Sequence, residues 1–145
     1  VIEYNCRFGD PETQVVLPLL ETDLVDIMDA VREEKLAELD IKWSEKSCAC
    51  VVMASGGYPE KYETGKPISG LDENGQTDGA YVYHAGTKLE NGVFLTAGGR
   101  VLGVTAAADT LGEALDRAYG AVSGISFEKE HHRTDIGARA LAALK

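Results

Sequence analysis

Apolar residues recur three and four positions apart in two separate stretches of this chain, and between those stretches they alternate or run together. The first stretch holds Leu24, Ile27, Met28 and Val31, with Asp23, Asp26, Asp29, Glu33 and Glu34 mostly outside the stripe. That spacing predicts an amphipathic helix with an acidic face toward water, started by Thr22-Asp23. The second holds Leu111, Ala114, Leu115, Ala118 and Val122, and predicts a helix capped at Asp109-Thr110 and ending near Ser123. Between them "SCACVVMA", "AYVYHAG" and "GVFLTAGGRVLGVTAAA" read as strands, with Glu90-Asn91-Gly92 as a hairpin turn. "GISFE" predicts a further strand, and Thr134-Asp135 a last helix over residues 136–144.

The opening is less regular. Residues 1–5 predict a short buried strand with a polar end, and Asp10-Pro11-Glu12 predicts a helix start. Asp10 suits the cap, Pro11 the first helical position, and Glu12 the positive helix end. Val15, Val16, Leu19 and Leu20 continue at helical spacing, and Pro18 predicts a kink or break there. Residues 60–79 are polar and glycine-rich, and read as loops or short edge pieces. The outcome is an α+β chain in two parts. Residues 1–43 give one strand and two helices; residues 44–145 give a small antiparallel β-rich unit closed by two helices, with Trp43 at the junction. Only the second part looks self-contained, because a lone strand needs a sheet.

Composition narrows the function. The 145 residues are 44% hydrophobic and carry a net charge of −10, which opposes nonspecific binding to nucleic acid or an anionic membrane. No apolar run approaches a membrane span. Three cysteines, an odd count without a secretory leader, point to a reduced, cytoplasmic setting.

Several groups have chemical potential. Glu3 and Asn5 lie two apart, so on a strand both side chains emerge on one face, and their oxygens suit Mg²⁺. Arg7 offers a planar fork to a phosphate, and the helix start at Asp10 offers free N–H groups. Taken alone, E-x-N is common, and a polar strand end followed by an ordinary cap accounts for it. His84 in "YHAGT" reads as a substrate or domain-closing contact, or as a hydrogen bond that shapes its turn. "TAGGR", ending in Arg100, reads as a close backbone approach to a phosphate or as a tight hairpin with glycines at positive φ. Cys48 and Cys50 share a strand face and read as small core residues. His131-His132 reads as a solvated loop, and Ser55-Gly56-Gly57-Tyr58 as a strand-to-loop turn, since it lacks the Lys-Ser/Thr ending of a phosphate loop.

The wording of "EYNCRFGDPETQ" resembles the phosphoribosylamine–glycine ligase family of ATP-grasp enzymes. "VVMASGGYP", Y-x-x-G at Tyr62 and Gly65, "HAGT", "GGRVLGVTA" and "RTDIGARAL" agree in the same order, so the resemblance covers essentially the whole chain. Glu60, Ala97 and His132 stand where the family pattern has Gly, Asn and Tyr. The resemblance implies an enzyme that uses ATP to turn glycine into glycyl phosphate. The amine of 5-phosphoribosylamine then attacks, giving glycinamide ribonucleotide, ADP and phosphate. It implies Glu3 and Asn5 as Mg²⁺ or Mn²⁺ ligands holding the ATP phosphates, and Arg7 as a catalytic group on phosphoryl charge. Asp10 and Glu12 become catalytic and substrate-ordering residues, with His84 and Arg100 as substrate contacts.

Residues 1–43 become the C-terminal end of the ATP-grasp domain and 44–145 the β-rich C-terminal domain. The family's N-terminal domain and most of its ATP-grasp module are expected upstream of Val1, so the chain alone is expected to be inactive. The alternative is a noncatalytic β-rich binding module with a helical docking arm.

Overall fold

The computed structural model describes residues 1, 2, 4 and 6–144. Three antiparallel strands make the central sheet: β1 (Ser47–Ala54), β5 (Arg100–Ala108) and β2 (Tyr81–His84), in the order β1-β5-β2. A separate hairpin joins β3 (Thr87–Glu90) to β4 (Val93–Thr96). Its two-residue loop, Asn91-Gly92, has φ of 51° and 78°, the positive values that a tight hairpin turn of matching twist requires.

Alternation along β1, and a central strand β5 buried on both faces, build the core. Ala49, Val51 and Met53 of β1, Leu102, Val104 and Ala106 of β5, and Val82 of β2 are buried on the face that meets helix α3 (Leu111–Gly124). The helix answers with Ala114, Leu115, Ala118, Ala121 and Val122, all buried. Alanines on both layers let the helix lie close, while Met53, Leu102 and Val104 fill the wider space. Each large side chain buried this way contributes about 1.5–3 kcal/mol. The Thr110 hydroxyl accepts from the Glu113 N–H at 3.2 Å, as the sequence predicts for the cap. A last helix, α4, spans Ala138–Ala143, shorter than the predicted 136–144. Asp135 does not cap it; its carboxylate takes both N–H contacts of Arg133 at 2.9 Å, and Gly137 at φ 78° opens the helix instead.

The segment "GISFE" is not a strand. Only Ser126 pairs, as an isolated bridge with Ser69, while Ile125 and Phe127 turn inward to the core. The run is apolar because it lines the core from a loop.

The outer edge of β2 is closed without a fourth strand. The Gln76 amide donates to the Val82 carbonyl at 3.0 Å and accepts the Val82 N–H at 2.9 Å, the two bonds a neighbouring strand would make. Gln76→Ala leaves both backbone groups without these partners, and Val82 is buried. The expected cost is about 1–3 kcal/mol, with faster hydrogen exchange at the Val82 amide as the measurement.

Ahead of the sheet lie α1 (Thr13–Val16), a 3₁₀ turn at Leu17–Leu19, and α2 (Leu24–Arg32). Pro18 sits in the 3₁₀ turn and ends the first helical stretch, as predicted. Asp23 caps α2 by accepting the Val25 N–H at 2.8 Å. Its apolar stripe is only half covered, however: Leu24 and Ile27 are partly buried, while Met28 and Val31 are exposed.

The opening strand does not form among the described residues. Val1, Ile2, Tyr4 and Cys6 belong to no strand, and all four are exposed. Their apolar character favours pairing, but no strand of the sheet lies beside them, and an unpaired strand is not stable. Glu3 and Asn5 lie outside the described residues.

Candidate functional site

One end of the central sheet gathers sequence blocks that lie far apart in the chain. Ser55, at the end of β1, is 3% exposed; its hydroxyl donates to the Gly98 carbonyl at 2.8 Å and its N–H to the Gly99 carbonyl at 2.8 Å. The Ala97 N–H donates to Gly86 at 2.7 Å, and the Gly86 N–H to Val101 at 3.1 Å. These bonds knit "SGGYP", "HAG" and "AGGR" into one surface. Glycine is required there by close approach: Gly98 and Gly99 have no positive φ, contrary to the tight-hairpin reading. A β-carbon on Gly86 would stand 2.6 Å from the Arg100 carbonyl oxygen and 2.7 Å from the Gly98 Cα, and one on Gly99 would enter the Tyr58 ring.

That rigid turn aims Arg100 at the N-terminal segment. Its Nη2 reaches the Asp10 carboxylate at 2.9 Å, and Nη1 lies 3.5 Å from the Asp10 carbonyl. The second carboxylate oxygen of Asp10 accepts from Gln14 Nε2 at 2.8 Å. So Asp10 does not cap α1. Glu12 occupies the cap position without a side-chain bond, and Thr13, rather than Pro11, begins the helix, with its hydroxyl and its N–H both donating to the Gly9 carbonyl. Gln14 rests on Gly103 of β5, where an added β-carbon would lie 3.8 Å from its Cγ and 3.2 Å from Cys50 Sγ.

Beside this clasp opens a cleft of about 340 Å³, lined by Phe8, Asp10, Thr13, Gln14, Tyr83 and His84 among others. Two of the sequence-predicted residues, Asp10 and His84, thus share one cleft, and Arg100, outside the lining, pairs with Asp10. His84 Nε2 faces the Gly75 carbonyl at 2.9 Å, so that nitrogen carries a proton, and Nδ1 contacts the Thr87 hydroxyl at 2.9 Å. Its ring also lies 5.0 Å from that of Phe94, centroid to centroid. The geometry shown is the turn-shaping one. Arg7 is exposed just outside, its Nη1 donating to the Phe8 carbonyl at 3.1 Å. Glu12 is separated from the group, in a second hollow of about 260 Å³ that also touches Cys48, Cys50 and Leu111. Gln14, Tyr83 and Gly103 were not singled out by sequence reasoning. Gln14 closes the "EYNCRFGDPETQ" block and Gly103 lies within "GGRVLGVTA", so those blocks held the signal, and a glycine inside a strand is itself a sign of close approach.

Among the described residues no group of three or more His, Cys, Asp or Glu side chains is placed to hold a metal ion. Nor is any helix among them long and apolar enough to cross a membrane. All three cysteines are free. Burial raises the Cys48 thiol, helped by Cys50. Burial also raises Cys50, with Asp10 adding to the shift and the Thr105 hydroxyl opposing it. Fewer thiolates and less access both slow alkylation. Iodoacetamide at neutral pH is expected to label exposed Cys6 first, with Cys48 and Cys50 slower by about ten-fold or more, read by peptide mass spectrometry.

The family model described as "Phosphoribosylglycinamide synthetase, C domain" matches residues 48–139, the span that holds the sheet, the glycine turns and α3. The chain belongs to that family. As a phosphoribosylglycinamide synthetase C domain it has relatives named phosphoribosylamine–glycine ligase. The protein of that name from Chlorobaculum tepidum is 52% identical over 141 residues, covering 97% of this chain and 33% of the relative. The one from Caldanaerobacter subterraneus subsp. tengcongensis is 48% identical over 138 residues, covering 95% and 32%. The crystal structure of the Thermotoga maritima phosphoribosylamine–glycine ligase superposes with a TM-score of 0.72 at 29% identity, covering 93% of this chain and 32% of that one. The chain therefore spans about a third of the length of the relatives it matches.

Proposed function

We propose that this chain acts as the C-terminal part of an ATP-dependent carbon–nitrogen ligase. The enzyme joins glycine to 5-phosphoribosylamine through glycyl phosphate, giving glycinamide ribonucleotide, ADP and phosphate in purine biosynthesis. In this reading residues 1–43 end the ATP-grasp domain and 44–145 form the C-terminal domain, with the rest of the enzyme supplied by further chain. A cytoplasmic setting goes with it, supported by three unpaired thiols. The observation that carries the reading is the docking of "FGDPETQ" against the glycine turns of the family domain, so that Asp10 and His84 line one cleft, with Arg7 next in the chain to Phe8 of its lining.

Glu3 and Asn5 offer only oxygen donors, which fits a hard divalent cation, Mg²⁺ or Mn²⁺. Such an ion would neutralise ATP phosphate charge. Arg7, exposed and next in the chain to Phe8, adds a guanidinium for transferring phosphoryl oxygens, where positioning and charge do most of the work. Asp10, tied to Arg100 and Gln14, orders the cleft wall that faces the substrates, and His84 holds the opposite turn. Glu12, in the separate hollow, takes no part in this cleft.

The test is an assay of the longer protein that carries this chain. Product is expected only with ATP, glycine and phosphoribosylamine together, and Glu3→Ala or Asn5→Ala should cost about 100-fold or more in turnover. Full activity in either variant would remove the metal assignment. Turnover by residues 1–145 alone would remove the reading of an incomplete site.

A further inference from the structure

Arg100 would ordinarily be assigned to a ligand, as a cation beside two glycines. Its geometry says otherwise. The guanidinium is committed to a carboxylate within its own chain, 90 positions earlier, at 2.9 Å with a second contact to the carbonyl of the same residue. The other oxygen of that carboxylate is taken by Gln14. The base of Arg100 is well anchored, because Ser55, Gly86 and the Tyr58 ring pack on the turn before it from three sides. Elsewhere the N-terminal segment meets the sheet through half-buried Thr13, Gln14 and Val15, with Gln14 seated on Gly103. The Arg100–Asp10 pair adds a directional, charge-assisted link to that packing. The segment's helix is four residues long and fully buries none of them, and the residues before Arg7 that are described lie in solvent.

We infer that Arg100 is a positioning residue: through Asp10 it sets where residues 7–9 lie at the cleft, and so places Arg7, without touching substrate itself. This deepens the ligase reading and rests on it for its consequence in catalysis, but the clasp can be tested in the chain by itself. A fixed turn, a planar fork and an acceptor braced from behind make a directional link, which a flexible ammonium cannot copy.

The experiment has two arms. In residues 1–145, hydrogen exchange of amides 13–17 and the melting temperature are measured for the parent, Arg100→Ala, Arg100→Lys and Asp10→Asn. Loss of the clasp should speed exchange there by about three-fold in all three variants, least in Arg100→Lys, while the melting temperature moves by about 2 °C or less. Unchanged exchange in Arg100→Ala and Asp10→Asn would overturn the inference, and so would a uniform rise across the sheet, which reports global destabilisation.

In the longer protein, Arg100→Ala should lower kcat with KM for each substrate nearly unchanged, and the exchanged pair Asp10→Arg with Arg100→Asp should recover part of the loss. A raised KM for one substrate with no recovery in the exchanged pair means that Arg100 binds that substrate directly, and overturns the inference. If the parent longer protein shows no ligase activity, the function proposed above fails, while the exchange arm still decides the clasp.

Discussion

Gly86→Ala is expected to lower the melting temperature by about 10 °C, a loss of about 3 kcal/mol in a chain of this length. The added methyl would meet the Arg100 carbonyl oxygen at 2.6 Å, the Gly98 Cα at 2.7 Å and the Gly98 nitrogen at 2.8 Å, all backbone atoms. No side chain can swing aside to make room, so the turns themselves must part. Parting them strains the Ala97 bond to the Gly86 carbonyl and both Ser55 bonds to Gly98 and Gly99, in a place where Ser55 is almost wholly buried. Gly120→Ala is the matched control. It lies within α3 with nothing within 4 Å of the added carbon, and should stabilise by about 0.5–1 kcal/mol through helix propensity. Thermal melts of the two variants should therefore move in opposite directions. A melting temperature for Gly86→Ala within two degrees of the parent would mean the turns are not held as described.

The second large effect belongs to the core. Leu102→Ala should cost about 3 kcal/mol, because Leu102 is 0% exposed and stands mid-sheet, opposite Met53 on one side and His84 on the other. Leu102 lies on the strand that is paired on both sides, which limits how far its backbone can move, so the cavity closes poorly. Leu89→Ala, at a position 58% exposed on the hairpin, should stay within about 0.5 kcal/mol. Equal losses at the two sites in urea titrations would contradict the core described here.

Much of the second unit was legible because its signals are local. "SCACVVMA" alternates and becomes β1 with its predicted bounds, Thr110 caps α3, and Asn91-Gly92 makes the hairpin loop. Where local signals misled, a tertiary circumstance decided. The described opening residues have strand composition but pair with no strand, and "GISFE" is apolar because it faces the core from a loop. Asp10 has the chemistry of a cap, yet a guanidinium far along the chain outbids the helix for its carboxylate. Gln76 is the clearest silent case. A side chain imitating a strand leaves no periodicity to read. At the site, the wording of the blocks brought out Asp10, His84 and Arg100, but not that Arg100 is turned toward Asp10.

Gly103 has a consequence for how the N-terminal segment can sit. Its neighbours on the same face of β5, Val101 and Thr105, both carry branched β-carbons. Sliding the segment along the strand by one pleat repeat, about 6.8 Å, would set Gln14 against one of them. The single missing side chain therefore works as a detent: the segment has one seat along the strand, and the spacing between Asp10 and Gln14 fixes which residue Arg100 meets when the segment drops into it.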